Sequence, residues 1–362
     1  MRNLIFGLAR PLQRLLGRQE RGAIGVLVGI LIGGGVLIGM GALVVDVGQL
    51  YQNRAELQNG ADGGALAVAR SCAQGTCAST DAKYYAGANA KSGVAGVNLV
   101  CGSGSLGACP ASTGKIYDCP TSPLAGTNYV DVHTQTLTAS GSSLLPPTFA
   151  RTLLGNGNYQ GTTVYACAQA EWGAPSVATA SSITVSACGW ATATGNGSSF
   201  APAPPYPANP LPKAAQDQVL KLTTDSASGT CSAFNWTAQT SGCSASFSGN
   251  FAAYSGTGVP TNCASVLSSS QTHKTVILVP VYTDGSMCGQ GQSATYMLEG
   301  FAAFVVTGYH LPGYTASDWL NSANNCTGSA ECINGYFTQA IVPAAGTVGG
   351  QAMGASIVQL TG

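Results

Sequence analysis

Asp284, Ser286 and Cys288 follow the apolar run TVILVPVY at alternate positions, and a carboxylate followed by a hydroxyl is the beginning of a metal-ion site. The same residues also read as an Asp-Gly hairpin turn, Asp284-Gly285, which needs no ligand. A nucleophilic Ser or Cys would require a histidine and an acid to activate it. The chain has only His133, His273 and His310. His133 lies in an alternating strand pattern, His273 beside Lys274 before a strand, and His310 just after VVTGY. Glu171 and Glu299 could form a carboxylate pair for glycoside cleavage only if the fold joined them. No Gly-x-Ser-x-Gly elbow, His-Glu-x-x-His helix or phosphate loop occurs, so the expectation is a protein that is not an enzyme, with no cofactor and no metal. Trp190, Phe234, Trp236, Tyr254 and Tyr282 could line a surface for sugars or partners, and they serve equally as core.

Those residues must be positioned by a chain with little charge. Of 362 residues only 28 are Asp, Glu, Lys or Arg, while glycine reaches 49, so hydroxyls and amides must solvate the surface and nucleic acid is excluded as a partner. The formal net charge is zero, but Arg2, Arg10, Arg14, Arg18 and Arg21 against Glu20 place +4 in residues 1–21 and leave −4 for the remainder. Basic residues beside an apolar segment are retained on the cytoplasmic side.

That segment is Gly22 to Val45, 24 residues without a charge. As a helix it is about 36 Å long, against a hydrocarbon core of about 30 Å. No small-x-small cleavage site follows at once, which predicts a retained single-pass anchor in the cell membrane with an inside amino terminus. Gly25, Gly29 and Gly33 recur every four residues, and Gly35 and Gly39 repeat the spacing on a neighbouring face. Such seams let two helices approach closely in lipid, although glycine is also simply common in membrane helices. Beyond Asp46 the positions Val47, Leu50, Leu57, Ala61, Ala65 and Val68 form one apolar stripe of a continuing helix, a stalk over 46–70. Either the protein's own outer part or a neighbouring subunit must cover that stripe. Gly60, Gly63 and Gly64 either loosen its end or permit a close backbone contact.

All thirteen cysteines, Cys72 through Cys332, follow the anchor. Their placement fits an oxidising compartment, and the absence of a Cys-x-x-Cys pair argues against zinc. The odd count leaves one thiol unpaired or joined to another chain. Cys72 with Cys77, Cys231 with Cys243 and Cys326 with Cys332 are near pairs, but spacing does not fix connectivity.

The outer part reads as β-rich with short helices, in an α+β fold. YVDVHTQTL (129–137) and TTVYACAQAEW (162–172) alternate as strands, and PPTFARTLLG between them predicts a short helix from Pro147 capped by Gly155. Residues 191–212 are crowded with Pro, Gly and Ser and read as a linker. The expected organisation is thus a basic cytoplasmic segment (1–21), the membrane helix (22–45), the stalk (46–70), a first α+β part (71–190), the linker, and a second β-rich part (213–362). Within that last part, Thr275 to Tyr282 is the most buried strand candidate, followed by a strand around Tyr296 to Tyr309.

The arrangement Arg-Gly-Ala, a Gly-rich anchor and then ALVVDVGQLYQNRAELQNGADGGALA resembles the amino-terminal segment of TadE/TadG-like proteins of Flp (tight adherence) pilus systems. The strand, Pro-Thr-Phe-Ala-Arg element and Ala-x-Ala-x-Trp strand extend the likeness, and NGYF and GFAAFVVTGY are similar to actinobacterial TadG-like segments. Asp284, Ser286 and Cys288 also approximate the metal motif of von Willebrand A domains found in some TadG relatives, with a cysteine replacing the last hydroxyl. Gly17 lacks a Glu five residues into a mature chain, so the resemblance implies an uncleaved, pseudopilin-like anchor. It further implies a structural or accessory role in pilus assembly, with other pilus-assembly proteins or pseudopilins as partners. The competing expectation is an envelope-anchored adhesion or carbohydrate-binding module that shares only the anchor.

Overall fold

The computed structural model describes residues 23–361, apart from 112–118, 120–126, 150–159, 207, 223–232, 239–241, 253, 255–257, 285–294 and 325–330. The basic segment 1–21, most of the helix expected from Pro147, and Ser286 and Cys288 therefore lie outside the described residues. The fold is α+β with a β-rich carboxy-terminal region.

Helix α1 covers 23–33 and α2 covers Val36–Ala73. The single unbroken helix expected over 22–45 is corrected here. Gly34 and Gly35 form a turn, and Gly35 takes φ +70°, a left-handed conformation that glycine adopts without a Cβ penalty. The break keeps local hydrogen bonds, with Gly34 N–H donating to Ile30 O at 2.7 Å and Gly35 N–H to Ile32 O at 3.1 Å. Because it divides the apolar run, no helix among the described residues is long and apolar enough to cross a membrane. Helix α2 then runs 38 residues without interruption, about 57 Å.

The remaining elements are α3 (Asp81–Asn89), β1 (Ala95–Gly102), β2 (Asn128–Thr136), β3 (Tyr165–Gly173), β4 (Pro175–Ser181), β5 (Ile183–Ser186), α4 (Ala187–Thr194), β6 (Gln218–Leu222), β7 (Ala233–Trp236), β8 (Ser244–Phe247), β9 (Asn250–Ala252), α5 (Cys263–His273), β10 (Val276–Tyr282), β11 (Thr295–Leu311), β12 (Tyr314–Ala316), β13 (Cys332–Thr338), β14 (Ala340–Ile341), β15 (Gly346–Val348), β16 (Gln351–Met353) and β17 (Ala355–Leu360). The chain divides into two compact units, one of residues 1–60, 86–98 and 134–166 and the other of 61–85, 99–133 and 167–362. Helices α2 and α3 and strands β1, β2 and β3 contribute residues to both.

In the first unit, Leu57 of α2 is buried with Ala86, Ala95 and Ala166, and the Thr134 hydroxyl donates to the Leu57 carbonyl at 3.1 Å. Gly60 explains how α3 comes so close. A Cβ there would lie 3.0 Å from Ala86 Cα.

In the second unit, strand pairings close on themselves. Strand β10 pairs in parallel with β5, β5 antiparallel with β7, β7 parallel with β6, β6 antiparallel with β13, β13 antiparallel with β11, and β11 antiparallel with β10. This six-stranded ring removes the free edges an open sheet would present. One core cluster gathers Val279, Val281, Phe304, Val306, Phe234 and Phe337 from its strands, with Trp190 of α4 and Leu267 of α5. A second cluster takes the intervening residues Leu278, Phe301 and Ala303, packed with Phe247 and Phe251. Strand β10 is thus buried on both faces, which is why TVILVPVY is continuously apolar rather than alternating.

Residues 191–212 enter this packing instead of standing apart. Ala191 to Thr194 complete α4, whose cap is Ser186 accepting from Gly189 N–H at 3.1 Å and whose end is Gly195 at φ +57°. Ala201 bridges to Thr338 of β13.

Ten described cysteines are disulfide-bonded. Cys72–Cys77, Cys101–Cys109, Cys119–Cys167 and Cys243–Cys263 are bonded pairs. The pairing of Cys231 with Cys243 is corrected by the last of these, because the start of α5 brings Cys263 Cα within 4.7 Å of Cys243 Cα. Cys188 and Cys332 are disulfide-bonded as well.

Candidate functional site

Several of the described residues singled out for catalysis have partners within the fold. The Asp284 carboxylate accepts the Cys188 N–H at 2.5 Å at the start of α4. His273 closes the last turn of α5, its Nδ1 3.0 Å from Ser269 O, and His310 lies in the β11–β13 pairing opposite Cys332. Glu171 accepts from Gln359 Nε2 at 2.6 Å on neighbouring β17, so a cross-strand amide satisfies it rather than Glu299. Phe234, Trp236, Trp190 and Tyr282 are core residues, and Tyr254 packs against the same cluster.

Among the described residues two groups of potential metal ligands converge, Cys119 with His133 and Cys167, and Cys101 with Cys109 and Asp131. In each the two sulfurs are disulfide-bonded, and a disulfide sulfur is not the thiolate that ligates metal. The Asp131 carboxyl is pushed up by burial, with the Gln169 hydrogen bond and nearby His133 opposing. Gln169 itself bridges Asp131 and Thr361, so this polar row ties strands β2 and β3 together. A cleft of about 200 Å³ beside α2, lined by Asn53, Glu56, Ser92, Thr136 and Thr138 among others, is smaller than the usual small-molecule pocket.

What remains exposed and unusual is the first half of the helical segment. Large apolar side chains at Ile24, Val26, Leu27, Val28, Ile30, Ile32, Val36, Met40, Leu43, Val44, Val45 and Val47 are exposed, with Ile30 at 67% and Val44 at 71%. On α1 they point in all directions around the helix, and on early α2 they cover every face except the one that Gly39, Ala42 and Asp46 share, which is sheltered. A helix apolar all round belongs in a protein core or in lipid. Gly25, Gly29 and Gly33 lie on α1 with open space where a Cβ would be. Gly35 is in the turn, and Gly39 begins the next helical turn, donating to Gly35 O at 2.7 Å.

Asp46 lies at the outer end of the exposed apolar run, between Val45 and Val47. The Asp46 carboxylate accepts Thr148 N–H at 2.9 Å and Phe149 N–H at 3.1 Å, and Thr148 Oγ1 donates to Gln49 Oε1 at 2.9 Å. Five residues later Tyr51 is 71% exposed. From there α2 becomes a packed helix. Along the stripe, Val47 is exposed, Leu50 half-buried, and Leu57, Ala61, Ala65 and Val68 are buried. In the second unit Gly64 admits α3, since a Cβ would lie 3.2 Å from Ala82 Cα. The stripe closes at Ser71, whose hydroxyl accepts Ala78 N–H at 2.7 Å beside the Cys72–Cys77 bond.

Residues 22–71, which span α1, the turn and nearly all of α2, match the family model described as "Putative Flp pilus-assembly TadE/G-like". The helical segment is thus similar to TadE/G-like pilus-assembly proteins over these residues. The match ends where the packed stripe ends, so the TadE/G-like part contains both the exposed apolar half and the buried half of the helix. No curated protein and no solved structure matches the chain. Sequence reasoning missed the Asp46 contact with Thr148 and Phe149, because 102 residues separate the partners and no local pattern marks it.

Proposed function

We propose that the chain is a membrane-anchored, pseudopilin-like or accessory subunit of Flp-type pilus assembly, without catalytic activity. Its amino terminus is cytoplasmic and its disulfide-bonded bulk lies outside the cell membrane. The observation that carries this reading is the run of exposed large apolar side chains from Ile24 to Val47, all round α1 and on every face of early α2 except that of Gly39, Ala42 and Asp46, inside the segment that matches the TadE/G-like family model. Helix α1 and the start of α2, joined by a hydrogen-bonded Gly34-Gly35 turn, can lie in lipid, because the backbone donors of the turn keep intrachain partners. The five arginines of residues 1–21 orient the anchor, and exposed Tyr51 supplies the aromatic residue expected at a membrane–water boundary. Partners are other pilus-assembly proteins reached through the anchor, with Gly25, Gly29 and Gly33 as the small face on α1.

The test combines membrane extraction with piliation. The full chain should stay in membranes washed with carbonate, and protease added to intact cells should digest the part beyond Tyr51. Gly29→Leu or Gly33→Leu should reduce piliation and co-purification of pilus proteins while leaving the protein in the membrane. Release by carbonate overturns the anchor. Normal piliation in these variants, with loss of a ligand bound by the outer part, would instead establish an anchored adhesion module.

A further inference from the structure

The segment Leu144-Leu145-Pro146-Pro147-Thr148-Phe149 is apolar except for Thr148, and it is tied to the helix where the exposed apolar run stops. Leu144 is 40% and Phe149 45% exposed. Surface leucines and phenylalanines are ordinary one at a time. The unusual feature is what has happened to the backbone donors between them. Leu144 N–H donates to Ser142 Oγ at 3.2 Å and Leu145 N–H to Thr162 O at 2.9 Å. Pro146 and Pro147 have no N–H. Thr148 and Phe149 donate theirs to Asp46, and the Thr148 hydroxyl donates to Gln49. The whole stretch is therefore apolar but for one hydroxyl, and every backbone donor in it is either absent or already bonded within the chain.

Water makes no such demand on a loop, but hydrocarbon and the deep interface do, since an unbonded N–H there costs several kcal/mol. Position supports the same occupant. Asp46 lies between exposed Val45 and exposed Val47, so the residues it holds are level with the outer end of the apolar helix surface. Asp46 also has a reason to be there. A carboxylate at the edge of lipid is tolerated when its oxygens are occupied, and three hydrogen-bond contacts from Thr148 and Phe149 N–H reach it.

We propose that the Thr148-Phe149 end of this segment forms a second membrane contact, in which Phe149 enters the interfacial layer of the outer leaflet and Asp46 holds it at that depth. The contact rests on the anchor reading above, and it makes the membrane association two-pronged rather than a helix alone. Lipid is preferred to a protein groove because the segment continues the apolar surface of the helix.

The test uses the full chain reconstituted into bilayers containing lipids brominated either near the headgroup or deep in the acyl chains. Phe149→Trp adds emission to that of the four native tryptophans. The added emission should be blue-shifted and should lose more intensity to shallow than to deep bromines. Leu211→Trp, at an exposed position of the second unit, should lose none. Asp46→Ala in the Phe149→Trp background should reduce the quenching while the protein still sediments with carbonate-washed vesicles. If the emission added by Phe149→Trp escapes quenching in carbonate-resistant protein, the second contact is overturned and the anchor stands. If that emission becomes shielded only when pilus proteins are added, the contact is overturned in favour of a protein partner. Protein released by carbonate overturns both.

Discussion

Thr148 donates its backbone N–H to Asp46 Oδ1 at 2.9 Å across 102 residues of chain, and Phe149 N–H reaches the same carboxylate. Charge-assisted bonds of this kind contribute about 1.5–3 kcal/mol each when the partners are shielded. Asp46→Ala should therefore free the Thr148 and Phe149 amides, and hydrogen exchange of the detergent-solubilised protein should show both exchanging faster while amides of β11 keep their protection. Unchanged exchange at Thr148 would mean that the contact is not held in solution.

Gly335 faces β11 within β13, and a Cβ built there would collide with the Phe304 ring and the Val305 carbonyl. The register places Gly335 opposite Val306, so neither strand can retreat without disturbing the ring. Gly335→Ala should cost about 1–3 kcal/mol by overpacking, read as a lower thermal midpoint. Gly313, which lies in a turn with open space around it, gives the comparison: its φ of +77° penalises Ala through the backbone and not through packing.

Burial alone would raise the Asp318 carboxyl, but hydrogen bonds involving Asp217, Asn321 N–H, Asn334 and Leu320 N–H hold it below its ordinary 3.8. A carboxyl lowered in the folded state adds stability above its unfolded pKa, and that stability is lost as pH falls through the folded value. Acid unfolding should thus be less steep in Asp318→Asn than in the wild type below about pH 4, with the variant less stable at neutral pH. Parallel acid curves for the two proteins would show that the network does not stabilise the ionised form.

Asp131 has the opposite sign. Burial pushes its carboxyl up despite Gln169 and His133, so its contribution is present below the unfolded value and is lost as pH rises through the folded one. Asp131→Asn keeps an oxygen to accept from Gln169 Nε2 and removes the charge. It should raise stability at neutral pH, measured by denaturant unfolding, and make no such gain in acid.

Cys243 and Cys263 are buried and bonded across a separation of 20 residues. Closing a loop of this size stabilises by about 3 kcal/mol through the unfolded chain. The Cys243→Ala, Cys263→Ala double variant should lose stability of that order, and reducing agent should then weaken it less than it weakens the wild type.

Several of these elements were legible because their cause is local. The alternation of YVDVHTQTL follows from a strand with two different faces, and the unbroken apolar run of β10 follows from burial on both. Gly60 and Gly64 announced that something special occurs along α2, and the close approach of α3 settles which alternative holds. Helix α4 was hidden by the prolines that follow it, although Ser186 before it and Gly195 after it are ordinary cap signals. The turn at Gly34-Gly35 carried no distinguishing mark, since glycine is frequent throughout the apolar run. Ring closure and the hold of Asp46 on Phe149 were invisible for a different reason. Both join residues far apart in sequence, and neither leaves a periodic trace.

The closed ring also has a temporal consequence. Strand β5 leaves the ribosome roughly 150 residues ahead of β13, and the circle cannot shut until both are available. During that interval its sticky borders are open to neighbours, so a nascent chain of this kind needs shelter, from a chaperone or from rapid passage through a secretion channel, until its last seam is sewn.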